Sequence, residues 1–350
     1  MSERSADKGV HELKVSAVVE ETADARTLVF EVPDELSERF RYRPGQFLTL
    51  RVPSARTGSV ARCYSLCSSP HCDDRIAVTV KRIADGYASN LICDTVAVGD
   101  LITVLEPSGS FGPRELDADV LLCAAGSGIT PVLSIIKSIM VGGRGNVVVL
   151  YANRDRRSVI FADVLDDLTY RYPGRLQVLH WLESERGLPT AAAVEELVRP
   201  HSGRDWFLCG PAGFMTVVGA AAHALRVPTT RIHTEEYRSL QSNPFDKPIH
   251  TNGNTPLGDV AVVEVDIDGE THILKWPKHT PLLDVLLDNG IDAPYVCRES
   301  ACGTCVCSVK QGRTRMRQNE ALIDDELALG LTLACQTLPE SPRVHIAFDQ

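Results

Sequence analysis

Four cysteines near the end of the chain, Cys297, Cys302, Cys305 and Cys335, carry the clearest chemistry, with the first three spaced C-x4-C-x2-C. Such a run with a distant fourth cysteine is a ligand spacing for a [2Fe–2S] cluster. Each iron needs two thiolates, and a short looping segment can set three sulfurs around a small rhomb while the fourth arrives from elsewhere. A zinc site more often shows two C-x2-C pairs, and no secretory signal supports a disulfide framework. Ser300, Ala301, Gly303 and Thr304 are small enough for the backbone to wrap tightly, its N–H groups toward sulfur.

Other residues suit nucleotide cofactors. In Arg62-Cys63-Tyr64-Ser65, the Arg62 guanidinium can grip a pyrophosphate, Tyr64 offers a ring to lie on an isoalloxazine, and Ser65 a hydroxyl for its edge. Val80-Lys81-Arg82 and Gly86-Tyr87-Ala88-Ser89-Asn90-Leu91 follow; there a glycine turn leads into a helix start with Ser89 and backbone N–H groups turned to phosphate. Lys81 and Arg82 serve equally as a solvated strand face. Downstream, Gly126-Ser127-Gly128-Ile129-Thr130-Pro131 joins an apolar strand to a helix, with Thr130 expected as N-cap and Pro131 at the first helical position. The glycines let the backbone approach a pyrophosphate, which the helix N-terminus favours. Adenosine ribose recognition is expected at Asn153-Arg154-Asp155-Arg156-Arg157. There arginines could hold a 2′-phosphate, whereas Asp155 would repel it and bond a 2′-hydroxyl. The expectation is NADH over NADPH.

The elements that must position these residues fall into three textures. Alternating segments such as His11–Val19, Thr27–Val32, Ile76–Arg82 and Leu101–Leu105, punctuated at Pro33-Asp34, Arg43-Pro44-Gly45 and Pro107-Ser108-Gly109, indicate an antiparallel barrel or sandwich. After Asp119, apolar strands (Val120–Ala125, Asn146–Ala152, Leu176–Trp181, Trp206–Cys209) alternate with helical stretches (Pro131–Met140, Ala162–Tyr172, Thr190–Val198), the pattern of a doubly wound parallel sheet. A polar, Gly/Pro-containing linker follows. Then come a hairpin with an Asp268-Gly269 turn, a helix over Pro281–Asn289, and the cysteine loop. The expected divisions are a disordered tail at 1–10, a barrel at 11–115, an α/β domain at 116–237, a linker at 238–258 and a cluster domain at 259–350.

The chain has 350 residues and a net charge of −10, which argues against nucleic acid. From Asp259 to Gln350 fifteen acidic residues face eight basic ones, a net of −7. That acidity suits either transient docking onto a partner or simple solubility. No apolar run reaches the ~18 residues of a membrane span. The polar start and eleven cysteines suggest a reducing cytoplasm, with the cysteines outside the cluster mostly buried.

The Arg62–Ser65 and Gly86–Leu91 motifs, the Gly126–Pro131 turn, and Cys209-Gly210-Pro211 with Met215 after it together resemble the ferredoxin–NADP reductase superfamily. The cysteine loop resembles that of plant-type ferredoxins. The order of modules is similar to reductase components of bacterial oxygenases, and the resemblance covers nearly the whole chain. It implies an FAD-binding barrel, a nucleotide domain and a β-grasp ferredoxin domain. It implies that Val80 and Lys81 join Arg62, Tyr64, Ser65, Gly86, Ser89 and Asn90 around the flavin, and that Asn153 and Arg154 meet the nicotinamide cofactor. Cys209, Gly210 and Pro211 would lie beside the nicotinamide, and Tyr237, in Glu235-Glu236-Tyr237, would approach the flavin. Ser65, Cys209 and Tyr237 are then the candidate catalytic residues. The stretches Arg62–Pro70, Val78–Arg82 and Asp85–Asn90 are most similar to reductases of 3-ketosteroid 9α-hydroxylases, and the chain is also similar to those of phenylacetyl-CoA epoxidases. The implied activity is transfer of electrons from NADH through FAD and the cluster to a Rieske-type oxygenase in steroid degradation. The implied form is a monomer that docks transiently. The alternatives are an NADPH-dependent reductase of a di-iron epoxidase, or a passive carrier or redox sensor.

Overall fold

The computed structural model describes residues 9–237, 240, 243–245, 260–300, 302–322 and 324–348. Most of the expected tail and linker lie outside the described residues. The chain divides into two compact units, formed mainly by residues 10–239 and 240–350.

The first unit opens with six antiparallel strands: β1 (Val10–Thr22), β2 (Ala25–Glu31), β3 (Phe47–Ser54), β4 (Gly58–Ser65), β5 (Ile76–Lys81) and β6 (Leu101–Leu105). Their order is β4-β3-β6-β1-β2-β5, and a bridge between Leu66 and Val78 closes the sheet on itself as a barrel. Period-two alternation drives this, as in β1, where Leu13 and Val15 are buried and Lys14 is exposed. Helix α1 (Tyr87–Thr95) packs Ala88, Ile92 and Cys93 onto the barrel core.

A parallel sheet follows, of β7 (Val120–Ala125), β8 (Val147–Asn153), β9 (Leu176–Leu182), β10 (Asp205–Cys209) and β11 (Ile232–Glu235), in the order β11-β10-β7-β8-β9. Between these strands run α2 (Ile129–Gly142), α3 (Ala162–Arg171), the short α4 (Glu183–Arg186), α5 (Ala191–Val198) and α6 (Ala212–Ala224). Every residue of β7 is buried: Val120, Leu122 and Ala124 enter one core, and Leu121, Cys123 and Ala125 the other. A strand covered on both faces must be apolar throughout. The barrel and this sheet pack as one unit. Ser134 Oγ donates to the Ser68 carbonyl (2.6 Å), the Ser69 and Ser138 hydroxyls meet at 2.8 Å, and Lys137 pairs with Asp73 at 3.0 Å.

The second unit contains a mixed sheet ordered β13-β12-β18-β14-β16, from β12 (Val260–Ile267), β13 (Glu270–Pro277), β14 (Val306–Gln311), β16 (Leu331–Leu333) and β18 (Arg343–Ala347). A separate ribbon pairs β15 (Thr314–Met316) with β17 (Thr337–Pro339). Asp268 and Gly269, at φ 53° and 79°, form the tight turn expected between β12 and β13. Helix α7 (Leu282–Asp288) buries Leu282, Leu283, Val285 and Leu286 against Val263, Val265 and Ile346 of the sheet. One helix on a mixed sheet, with β12 and β18 parallel at its centre, is the β-grasp arrangement. A short helix α8 (Asp324–Ala328) precedes β16.

Candidate functional site

The end of barrel strand β4 meets the carboxyl ends of β10 and β11. Ser65 Oγ donates to Glu235 Oε2 at 3.0 Å and lies 3.3 Å from the Tyr237 hydroxyl. Cys209 Sγ points at the same Glu235 oxygen, 3.9 Å away. The Tyr237 hydroxyl pairs with Thr130 Oγ1 at 2.9 Å and lies 3.2 Å from the Ser127 carbonyl, at the Gly126-Ser127-Gly128 turn. Thus Ser65, Cys209 and Tyr237 come together, joined by Glu235. Sequence reasoning misses the chemistry of that carboxylate; the one signal for it is its place in the Glu235-Glu236-Tyr237 run. Burial raises Glu235 to about 7, against lowering by its bonds to Ser65 and Cys209. Burial, and then the Glu235 charge, push the Cys209 thiol up, so Cys209 stands as a neutral donor. Tyr237 is 46% exposed, while its hydroxyl is held by these partners.

The nucleotide turn works differently from expectation. Thr130 is not the N-cap: α2 begins at Ile129 after Gly128, and the Thr130 hydroxyl donates back to the Ser127 carbonyl. Gly128 answers to packing, because a Cβ there would meet the Cys209 carbonyl oxygen at 2.0 Å. Gly126, at φ +53°, faces only Lys81 Nζ, 3.7 Å from where a Cβ would sit, and is the glycine left open to a ligand. Gly210 is close-packed on Ala125, and Pro211 is the residue before α6. Asn153 ends β8 with both side-chain amide atoms buried and without a hydrogen-bond partner among the described residues. An orphaned amide at the carboxyl edge of a doubly wound sheet fits a nucleotide ligand. Asp155 Oδ1 accepts the Ser158 N–H at 3.0 Å and caps the following turn. Arg154 instead pairs with Asp24 (3.2 Å), which also approaches Lys81 (3.8 Å). Nothing in the local sequence signals Asp24.

On the barrel side, Arg62 and Tyr64 share one face of β4, opposite Ser65. Arg62 spends one N–H on the Ala61 carbonyl. Burial raises the Tyr64 hydroxyl above its usual range. Three expected contacts change. Val80 is fully buried in the barrel core, so its side chain faces no ligand. Ser89 Oγ accepts the Ile83 N–H and Asn90 donates to the Ile83 carbonyl, so both brace the Gly86 turn. The backbone N–H groups at the start of α1 have no intrahelical acceptor and suit an anion. Of the cysteines outside the cluster set, Cys67, Cys93, Cys123, Cys209 and Cys307 are buried, Cys63 is half-buried and Cys72 exposed, in keeping with the mostly buried pattern expected.

In the second unit the four cysteines are all buried. Their thiols associate in two pairs: Cys297 donates to Cys302, holding it down to about 6, and Cys305 donates to Cys335, lowering it also. Cys297 and Cys305 are pushed up by the same bonds and by burial. Two thiols for each of two irons is the donor set a [2Fe–2S] cluster requires. The loop is built for it. Arg298, Ser300 and Gly303 take positive φ (57°, 65°, 71°), which curls the chain around the sulfurs. The Glu299 N–H, the Thr304 hydroxyl and the Gln336 amide donate to Cys297, Cys302 and Cys335 at 3.3, 3.2 and 3.7 Å. The buried Ser300 hydroxyl has no partner among the described residues, leaving a donor for the cluster. Cys307, buried on β14, bonds the Thr332 carbonyl and stays outside the set.

Comparison with known proteins finds the same three modules. Family models match an oxidoreductase FAD-binding domain at residues 12–112, an oxidoreductase NAD-binding domain at 122–219 and a 2Fe-2S iron-sulfur cluster binding domain at 265–340. The chain is 54% identical over 97% of its length to the 3-ketosteroid-9-alpha-monooxygenase ferredoxin reductase component of Mycobacterium tuberculosis, covering 96% of that protein. It is 52% identical to the same component of Mycolicibacterium smegmatis, with both chains covered in full. A component of the 1,2-phenylacetyl-CoA epoxidase of Escherichia coli is 34% identical, over 97% of this chain and 98% of that one. In fold, phthalate dioxygenase reductase matches 98% of this chain and 99% of its own, with a TM-score of 0.56 and 23% identity. A type IV self-sufficient cytochrome P450 monooxygenase matches 96% of this chain at a TM-score of 0.66 and 21% identity; this chain spans 41% of that one. The chain belongs to the family of 3-ketosteroid-9-alpha-monooxygenase ferredoxin reductase components.

Proposed function

We propose that the chain draws electrons from NADH and passes them, through FAD and a [2Fe–2S] cluster, to a Rieske-type oxygenase component that hydroxylates 3-ketosteroids. The observation that carries the reading is the convergence of Ser65 from the barrel with Cys209, Glu235 and Tyr237 from the parallel sheet. When bound, the flavin turns the two electrons of a hydride into single electrons, which an iron–sulfur cluster accepts one at a time.

The residues around it have separable tasks. Ser65 offers its hydroxyl at the flavin edge, and Glu235 orients that hydroxyl and holds a proton near neutrality. Neutral Cys209 packs behind the nicotinamide position without adding charge. Arg62 and the α1 N-terminus grip flavin phosphates. Lys81, expected beside the flavin, lies instead next to Gly126 and meets the pyrophosphate of the nicotinamide cofactor. Tyr237, anchored at its hydroxyl and 46% exposed, would lie over the flavin on the side the nicotinamide must reach. NADH is preferred because the Asp24 carboxylate occupies Arg154, which would otherwise receive a 2′-phosphate. The greater identity to the steroid monooxygenase reductases than to the epoxidase component favours the steroid oxygenase as acceptor.

Anaerobic titration with NADH tests the reading. Bleaching of both the flavin bands near ~450 nm and the broader cluster absorption is expected at about 1.5 NADH per protein. Flavin bleaching that leaves the cluster oxidised would overturn it.

A further inference from the structure

The second unit carries a row of cations that the proposed function does not use. Arg315 lies at the middle of β15, with Arg313 just before the strand and Arg317 just after it. Alternate positions on a strand share a face. All three arginines are exposed, whereas Thr314 and Met316 between them are half-buried and Met316 packs onto the core. None of the three takes part in an ion pair among the described residues. Arg298, in the cysteine loop itself, is by contrast paired with Asp284.

The row is fixed close to the cluster cysteines. Arg315 sits opposite Leu338 in the β15–β17 ribbon, and the Arg317 N–H donates to the Gln336 carbonyl at 3.0 Å. The Gln336 side chain in turn donates to Cys335 Sγ and to the Arg298 carbonyl (2.8 Å). The background charge makes the row conspicuous. From Asp259 to Gln350 there are only eight Lys/Arg against fifteen Asp/Glu, and three of the eight stand in this row. Solubility calls for interspersed charges. A row of three arginines without an ion pair among the described residues, beside the cluster cysteines in an otherwise acidic region, is what recognition of an oppositely charged surface needs.

We propose that Arg313, Arg315 and Arg317 dock a carboxylate-rich face of the protein that takes electrons from the cluster. This rests on the reductase function proposed above. Guanidinium groups engage carboxylates through paired N–H···O bonds, which supplies orientation as well as attraction. The row then sets the encounter rate and brings the acceptor against the Cys335 side of the cluster.

The test uses the full holoprotein with NADH and two haem-protein acceptors, acidic cytochrome b5 and basic cytochrome c, over a range of KCl. A molecule of net charge −10 should repel an acidic acceptor, so its rate should rise with salt if no cationic docking row operates. Docking at the arginines predicts the opposite, a rate to cytochrome b5 that falls as KCl is added. In the triple variant R313E/R315E/R317E that rate at low salt should drop about tenfold or more and lose its downward salt slope. Cytochrome c reduction, NADH-driven ferricyanide reduction and the cluster absorption should all persist. An unchanged cytochrome b5 rate in a variant with its cluster intact overturns the proposal. So does a wild-type rate to cytochrome b5 that climbs with KCl, a result that stands even if the triple variant loses its cluster. Should the unsubstituted protein reduce neither haem protein, the reductase function itself fails and docking falls with it.

Discussion

At Glu235 a single carboxyl accepts from Ser65 and is approached by Cys209, and burial moves it to about 7. Its ordinary value is 4.5, so between those two pH values the folded protein binds a proton that the unfolded chain has released. Stability therefore falls as pH rises through that window. Glu235→Gln should remove this slope, an effect on the order of 2 kcal/mol, read as a flatter dependence of the holoprotein's unfolding midpoint on pH from 5 to 8. The same variant should erase the inflection near neutrality in the pH–rate profile of NADH-driven ferricyanide reduction. Asp24 is a second carboxylate with long-range partners, pairing with both Arg154 and Lys81. Asp24→Asn frees Arg154 for a 2′-phosphate. Its kcat/KM for NADPH should rise about tenfold, the worth of one charged hydrogen bond, while that for NADH changes much less. Neither residue is legible from sequence as a functional group. Glu235 and Ser65 are 170 residues apart and Asp24 and Arg154 are 130 apart, so their chemistry exists only after folding.

Among the elements, the turn between β7 and α2 shows how local signals mislead by a residue or two. Thr130 followed by Pro131 reads as N-cap and first helical residue, yet the helix starts at Ile129 and Thr130 is buried in its first turn. Tertiary contact decides this, because Gly128 must lie against the Cys209 carbonyl and the Thr130 hydroxyl must meet Tyr237. Gly128→Ala places a methyl group into that carbonyl. It should cost about 1–3 kcal/mol and lower the melting temperature by several degrees. Because Cys209 moves with the clash, NADH-dependent turnover should drop further than stability alone explains. Strand β7, by contrast, is legible to the residue, Val120–Ala125. An unbroken apolar run has one favourable fate, burial on both faces of a parallel sheet. The β12–β13 turn is equally plain, since Asp268 and Gly269 both take the positive φ that a two-residue hairpin requires.

Over the whole molecule, two units with separate cores divide the chemistry, nucleotide sites in one and the thiol quartet in the other. Among the described residues no helix is long and apolar enough to cross a membrane. The division predicts a clean separation by mutation. Cys302→Ser removes one of four ligands and should abolish the cluster's visible absorption and the reduction of cytochrome c. NADH oxidation with ferricyanide, which the first unit performs with its flavin, should persist near the unsubstituted rate. If dye reduction vanished too, in a folded variant retaining FAD, the order of electron flow would be wrong.

The sequence by itself determined the modules and their order, and it singled out the four cysteines that the second unit buries. Those depend on short-range pattern: hydrophobic period, turn residues, and three cysteines within one loop whose curvature is visible at Arg298, Ser300 and Gly303. Only the tertiary structure decided which polar groups act together. It turned Val80 into core, Ser89 and Asn90 into braces for a turn, and Asp155 into a cap. It also raised Glu235 and Asp24 from plain carboxylates to partners of Ser65 and Arg154. The physical reason is that a side chain's hydrogen bonds and its pKa are set by whatever neighbours and how much water the fold brings to it, and neither is written in local spacing.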